Sequence, residues 1–232
     1  MRHLFKITIF LTVFHLALIP AHAGTLRQDL RGLATYRNLG LAVLGFGAAG
    51  AVYAWDDDVN GKLKGVAPVK TASDLSNFYG SSYFNIPATA CLWALGRATR
   101  RAELRAVSSD LLRSLLLTQA TVGPVKLTVR RRRPDGSDRR SFPSGHAANA
   151  FAVAGVMQRR YGPYVGVPLF AVGAIVGAVR MHDDHHFLSD VVAGAALGAI
   201  VGCSVTRTEA KRLSALPVRT PGGWMLVVQV RE

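Results

Sequence analysis

Along the 232 residues, apolar and polar positions fall into long blocks and not into the period-two alternation of half-buried strands. Uncharged or nearly uncharged runs occupy Leu39–Trp55, Leu75–Gly96, Ser114–Val125, Ala147–Gln158, Tyr161–Val179 and Val191–Thr206. They predict an all-α fold, a bundle of about six apolar helices. Gly194, Gly198 and Gly202 recur every four residues, as do Gly173 and Gly177, so each set leaves one helix face bare and admits close backbone approach. Several runs fall short of the ~17–25 residues of a spanning helix, and Pro87 and Pro168 interrupt two of them. The pattern alone leaves a membrane bundle and a tightly packed soluble bundle both open. The tail Pro217–Val230 carries a Pro-Gly-Gly turn signal between two β-prone runs and reads as a short C-terminal β-hairpin or a frayed end.

The N-terminus adds an export signature. Arg2, His3 and Lys6 precede an apolar run from Ile7 to Ile19, and Ala21-His22-Ala23 follows as a small-x-small cleavage site. Residues 1–23 therefore read as a signal peptide, or as an uncleaved anchor. The expected division is then 24–74 as an N-terminal helix and polar loop, 75–206 as the helical-bundle domain and 207–232 as a tail. The stretch Asp56–Asp74 reads as a connector or as a loop at the rim of a site. Basic clusters at Arg97–Arg105, Arg159-Arg160 and Arg207–Arg212 follow alternate segments, as the positive-inside rule places cytoplasmic loops, which puts the loops 126–146 and 180–190 together on the outer face. Six crossings after a cleaved signal would break that parity, so either Leu39–Trp55 does not span, which is the reading preferred here, or the N-terminal run is not a cleaved signal, or the bundle is soluble or peripheral.

Composition narrows the partner. Half of the residues are hydrophobic and 18% are charged, which excludes a disordered chain. A formal net charge of +14 calls for an anionic partner: nucleic acid, an anionic membrane surface or a phosphorylated substrate. Export argues against nucleic acid. Cys91 and Cys203 have no CxxC or CxxH spacing, so neither a disulfide framework nor a zinc site is indicated.

Three clusters carry chemistry. In the first, Lys126 and Arg133 stand seven residues apart, almost two helical turns, on one face with Arg130, and Pro134 ends the helix in a loop. A solvated basic face is the plain alternative. In the second, Phe142-Pro143-Ser144-Gly145-His146 precedes an apolar run. Ser144 is an N-cap candidate, Gly145 lets the backbone approach a ligand, and the free N–H groups of the helix start attract an anion beside His146. Ordinary turn chemistry with a capping histidine is the alternative there. In the third, Arg180 leads to His186 and Asp190, four residues apart, so Asp190 can accept a hydrogen bond from one ring nitrogen and leave the other free to attack. A metal site built from His182, Asp183, Asp184, His185 and His186 competes with this reading. Adjacent side chains diverge on a helix, so no metal is expected. Together the clusters hold the inventory for phosphoryl transfer without a metal.

The order Lys126-x6-Arg133-Pro134, Pro143-Ser144-Gly145-His146, Arg180-x5-His186-x3-Asp190 resembles the three-part signature of the type-2 phosphatidic acid phosphatase and vanadium haloperoxidase superfamily, over about residues 75–206. The resemblance implies the family's helical bundle. It further implies that His186 attacks phosphorus to form a phosphohistidine, that Asp190 orients it, and that His146 protonates the leaving group. Lys126, Arg133 and Arg180 would hold the phosphate oxygens, with Ser144 and the Gly145 N–H adding hydrogen bonds. The family's usual serine before the third-motif arginine is replaced here by Val179, which removes one hydroxyl from that set. The expectation is an exported, metal-independent phosphatase of a phosphomonoester or pyrophosphate, membrane-associated and facing the periplasm. The apolar bundle and the extra cations Arg130–Arg132, Arg139 and Arg140 suggest a lipid-linked substrate. Cations around His146 lower its pKa, so a mildly acidic optimum is expected. The alternatives are a soluble periplasmic acid phosphatase, a vanadate-dependent haloperoxidase in which vanadate would be the cofactor, and a basic anion-binding protein with no activity.

Overall fold

The computed structural model describes residues 23–64, 70–205, 212–220 and 223–231. The expected export signal lies outside them, apart from Ala23. The helices are α1 (Ala23–Leu33), α2 (Tyr36–Val52), α3 (Asp56–Lys64), α4 (Lys70–Tyr79), α5 (Ser82–Ala98), α6 (Ala102–Val129), α7 (Gly145–Tyr161), α8 (Pro163–His182) and α9 (Leu188–Val205), with a short 3-10 turn at Tyr53–Trp55. Strands β1 (Arg212–Thr220) and β2 (Gly223–Arg231) pair antiparallel, Thr220 opposite Gly223, so the tail forms the hairpin that its turn signal predicts.

The all-α bundle matches the hydrophobic pattern, with three changes of boundary. Leu75–Gly96 is two helices, because the chain turns at Gly80, where a Cβ would stand 2.8 Å from the Cβ of His146. Ser114–Val125 is the apolar middle of the 28-residue α6. Within Asp56–Asp74, the described residues 56–64 and 70–74 are helical. Asp56, Asp57 and Asp58 open α3, where negative side chains favour a helix N-terminus, and Asp74 lies inside α4.

α7 packs between α8 and α9 and carries the innermost face of the bundle: Ala147, Ala148, Ala150, Ala152 and Ala154 are fully buried. The glycine stripe of α9 lies against it. A Cβ at Gly198 or Gly202 would stand 2.0 or 2.2 Å from the carbonyl oxygens of Ala148 and Ala152, so the two backbones touch. The N-terminal helices are tied on by polar groups. Asn38 of α2 donates to Ser204 Oγ at 2.8 Å, and buried Asp29 of α1 pairs with Arg113 at 3.1 Å.

Large apolar side chains also cover the outside: Tyr36, Leu39, Val43 and Leu44 on α2, Leu92 and Leu95 on α5, Val167 and Ile175 on α8. Water offers no reason for such a belt; lipid does. Among the described residues, three helical stretches are long and apolar enough to cross a membrane: Tyr36–Leu63, Pro163–His182 and Leu188–Val205. The first contains Leu39–Trp55, so length and composition give no ground for exempting that segment from spanning.

Candidate active site

The three clusters converge at one end of α6, α7 and α8. Lys126 is on the last turn of α6, which stops at Arg130 in a left-handed cap, φ 49°, whose N–H returns to the Lys126 carbonyl. Arg133 is therefore in the loop and not on the helix face expected for it; the helix ends four residues before the position that Pro134 restricts. Arg133 donates to Asp138 at 2.8 Å, and Lys126 to the Arg140 carbonyl at 2.6 Å. Ser144 is the N-cap of α7, its hydroxyl accepting from the Ala147 N–H at 3.4 Å. Gly145 leaves room beside Lys126, whose Cε would stand 3.8 Å from a Cβ there. Arg180 is buried on the last turn of α8 and donates to the Asn77 side-chain carbonyl.

His186 is 2% exposed and lies in the loop before α9, so of the third-motif pair only Asp190 is on a helix. The backbone N–H groups of His185 and His186 both donate to the Arg180 carbonyl, at 3.0 and 3.2 Å, which folds the loop back on α8. His186 Nδ1 stands 3.7 Å from Asp190 Oδ2. That is a close electrostatic contact, longer than the hydrogen bond expected from the i, i+4 spacing. Asp190 is also held by three other donors. Its Oδ2 accepts from Ser141 Oγ at 2.5 Å and from the Phe187 N–H at 2.9 Å, and its Oδ1 from Arg131 at 2.8 Å.

Arg131 is the residue that sequence reasoning misjudged most. It was grouped with the surplus cations, yet it bridges two buried carboxylates, Asp190 at 2.8 Å and Asp56 at 2.7 Å. Ser189 closes the network: its N–H and hydroxyl both donate to Asp56, at 2.8 and 2.6 Å. The Phe187 and Tyr53 rings flank the guanidinium at 4.1 and 4.9 Å. Asp56 could have been singled out only by its place at the head of an acidic helix start. Asn77 and Asn149 were also missed. Asn149, fully buried in α7, donates to the Gly80 carbonyl at 2.9 Å and to Ser82 Oγ at 2.8 Å, which fixes the turn covering His146.

The electrostatics follow from this crowding. Burial first, then repulsion from Arg180 and His186, push the His146 pKa down to about 3. Burial pushes His186 down to about 4, with Lys126 adding to the effect and Asp190 opposing it. Burial, with Arg133 beside it, lowers Lys126 to about 8. Both imidazoles are therefore neutral at pH 7. Among the described residues, no group of three or more His, Cys, Asp or Glu side chains converges as metal ligands would. His185 and Asp183, from the competing metal reading, are used locally: His185 Nδ1 is 2.6 Å from the Asp183 carbonyl oxygen, and Asp183 accepts from Ser73 at 3.1 Å.

Comparison with known proteins places this geometry in a family. The profile of the PAP2 superfamily matches residues 109–214, which include all three clusters. A decaprenylphosphoryl-5-phosphoribose phosphatase of Mycobacterium tuberculosis is 34% identical over 147 residues, covering 58% of this chain and 77% of that protein. A lipid A 1-phosphatase of Porphyromonas gingivalis is 39% identical over 97 residues, 40% of this chain but only 22% of that longer protein. The transmembrane PAP2-type phosphatidylglycerolphosphate phosphatase of Bacillus subtilis superposes with a TM-score of 0.62, covering 74% of this chain and 94% of its own; at 21% identity this is a likeness of fold. The chain belongs to the PAP2 superfamily and is a phosphatase of that type, with a membrane-associated helical fold.

Proposed function

We propose that this protein removes a phosphate from a lipid-linked substrate at the outer face of a membrane, through a covalent phosphohistidine on His186. One observation carries the reading: a buried, neutral imidazole backed by a carboxylate stands among three cations and a helix N-terminus, with a second imidazole nearby. Such a site suits a phosphoryl group whose charge it must neutralise in the transition state.

In the first step the Nε2 lone pair of His186 attacks phosphorus and the bond to the leaving oxygen breaks, His146 giving that oxygen its proton. In the second, water attacks the phosphohistidine, His146 takes the water's proton, and the N–P bond breaks to release phosphate. Lys126, Arg133 and Arg180 hold the equatorial oxygens, aided by Ser144 and the Gly145 N–H. A His146 pKa of about 3 is too low for an acid. The arriving phosphate dianion supplies the negative charge that raises it, so protonation of His146 is coupled to substrate binding. The apolar belt and the lipid-linked substrate named for the mycobacterial relative favour a lipid carrier; the N-terminal pattern favours export.

The test is phosphate release from an aryl phosphate and from a phosphatidate, in EDTA, for the wild type and His186→Ala, with base-quenched labelling by 32P substrate. Activity that survives EDTA, is lost in His186→Ala and leaves an acid-labile, base-stable phosphoenzyme is the expected result. Activity that persists without His186 would overturn the mechanism, and turnover of the soluble ester alone would overturn the lipid assignment.

A further inference from the structure

One polar face of α4 fastens that helix to the end of α8. Ser73, Ser76 and Asn77 share the face, and Gly80 follows at the next turn. Ser73 Oγ donates to Asp183 Oδ1 at 3.1 Å, Ser76 Oγ donates to the Val176 carbonyl at 3.4 Å, and Asn77 Oδ1 accepts from Arg180 Nη1. The same end of α4 meets the second motif, because a Cβ at Gly80 would stand 2.8 Å from the His146 Cβ. Asn77 is therefore in direct contact with the arginine of the site and one turn from the contact with its imidazole.

The bond to Arg180 orients the amide. A guanidinium only donates, so the end of Asn77 that meets it is the oxygen and the other end is the NH2 group. The chain has five asparagines. Asn38 directs its Nδ2 to the Gly32 carbonyl and Ser204, Asn60 to the His186 carbonyl, Asn85 to the Tyr79 carbonyl and Asn149 to the Gly80 carbonyl. Asn77 Nδ2 has no acceptor among the described residues, and Asn77 is exposed where Asn38, Asn60 and Asn149 are buried. An exposed asparagine is ordinarily free to turn. This one is pinned at its oxygen by a buried cation, which leaves its two N–H groups beside Arg180 with nothing in the protein to bind.

We propose that Asn77 is a further ligand of the phosphoryl group, its Nδ2 donating to an oxygen of the phosphate that Arg180 holds. The assignment rests on the phosphatase reading for its anion. A neutral donor suits this place. Lys126, Arg133 and Arg180 each add a positive charge that opposes protonation of His146, whereas an amide adds a hydrogen bond to the phosphate and no charge. The residue lies outside all three motifs, so α4 completes the anion site as well as covering it.

The test uses the full chain in detergent with its asparagines labelled by 15N, the Asn77 side-chain signal being identified by its loss in Asn77→Ala. Titration with inorganic phosphate should move the Asn77 Nδ2 protons downfield, saturating over the concentrations at which phosphate inhibits aryl phosphate hydrolysis. Asn38, bonded to Ser204 at the other end of the bundle, should stay still. Asn77→Ala should weaken inhibition by phosphate about tenfold or more, as expected for a lost hydrogen bond to a charged group. Asn77→Asp keeps an acceptor for Arg180 but has no N–H, so it should do no better than alanine. An Asn77 signal unmoved by phosphate that still inhibits, or an Asn77→Asp enzyme inhibited as strongly as the wild type, overturns the assignment and leaves the phosphatase reading standing. A wild type that hydrolyses no phosphate ester overturns that reading, and the assignment with it.

Discussion

Replacing Gly194 with alanine tests whether the glycine stripe sets the geometry of the site. A Cβ at Gly194 would stand 2.3 Å from the Ser144 carbonyl oxygen and 3.2 Å from the Ser144 nitrogen. An ordinary carbon–oxygen contact is ~3.3–3.6 Å, so the helices must part by about 1 Å, and neither atom belongs to a side chain that can swing away. Ser144 caps α7 immediately before Gly145 and His146, and its N–H donates to the Asp190 carbonyl at 2.9 Å. The methyl group is thus a wedge between the backbones that carry His146 and Asp190. Overpacking of this kind costs about 1–3 kcal/mol, and a ~1 Å displacement of reacting groups can cost about 100-fold in rate. Gly123→Ala is the control: nothing lies within 4 Å of its Cβ position, and helix propensity favours alanine there by up to about 1 kcal/mol. With an aryl phosphate as substrate and thermal melting on the same preparations, Gly194→Ala should lose most of its kcat and several degrees of Tm, while Gly123→Ala keeps both. A Gly194→Ala enzyme with the wild-type kcat would refute the argument that this contact positions the site.

Arg131→Met leaves Asp56 and Asp190 buried without their shared counter-charge, which should destabilise the fold by about 3–5 kcal/mol. The uncompensated Asp190 should also raise the His186 pKa from about 4, moving the acid limb of kcat/KM to higher pH; an unmoved limb would show that Arg131 only supports the fold. Acid should weaken the protein for a related reason. Both histidines are held below their unfolded pKa near 6.5, so the stability of their neutral forms is complete above that pH and is lost as pH falls towards the folded values, by about 2 kcal/mol each between pH 6.5 and 5. Melting at pH 7.5 and 5, with and without inorganic phosphate, reads this; a Tm independent of pH would contradict it, and phosphate should narrow the gap.

The sequence exposed some levels of this site and concealed others, for identifiable reasons. The helices and the hairpin follow from local pattern: apolar runs, the glycine period and the Pro-Gly-Gly turn. Ser144 was legible as a cap because capping is a contact between residues three apart. Residue types and order likewise marked Lys126, His146, His186 and Asp190, whereas the direction in which each side chain is held is a long-range matter. Four consecutive arginines look alike in the chain, yet Arg131 turns inward to Asp56, 75 residues earlier, while Arg133 pairs with Asp138 in its own loop. The same distance concealed Asp56 itself, because its partners Arg131 and Ser189 lie on the far side of most of the bundle in sequence.

The Asp56–Arg131–Asp190 group has a consequence for the imidazole in front of it. Two carboxylates and one guanidinium leave a single negative charge on the Nδ1 side of His186. A neutral imidazole carries one proton and has two places to put it, and this charge draws the proton to Nδ1. The lone pair is then on Nε2 before any substrate arrives. Electrostatic selection of one tautomer needs no hydrogen bond, so the 3.7 Å gap to Asp190 is compatible with a ring already prepared for attack.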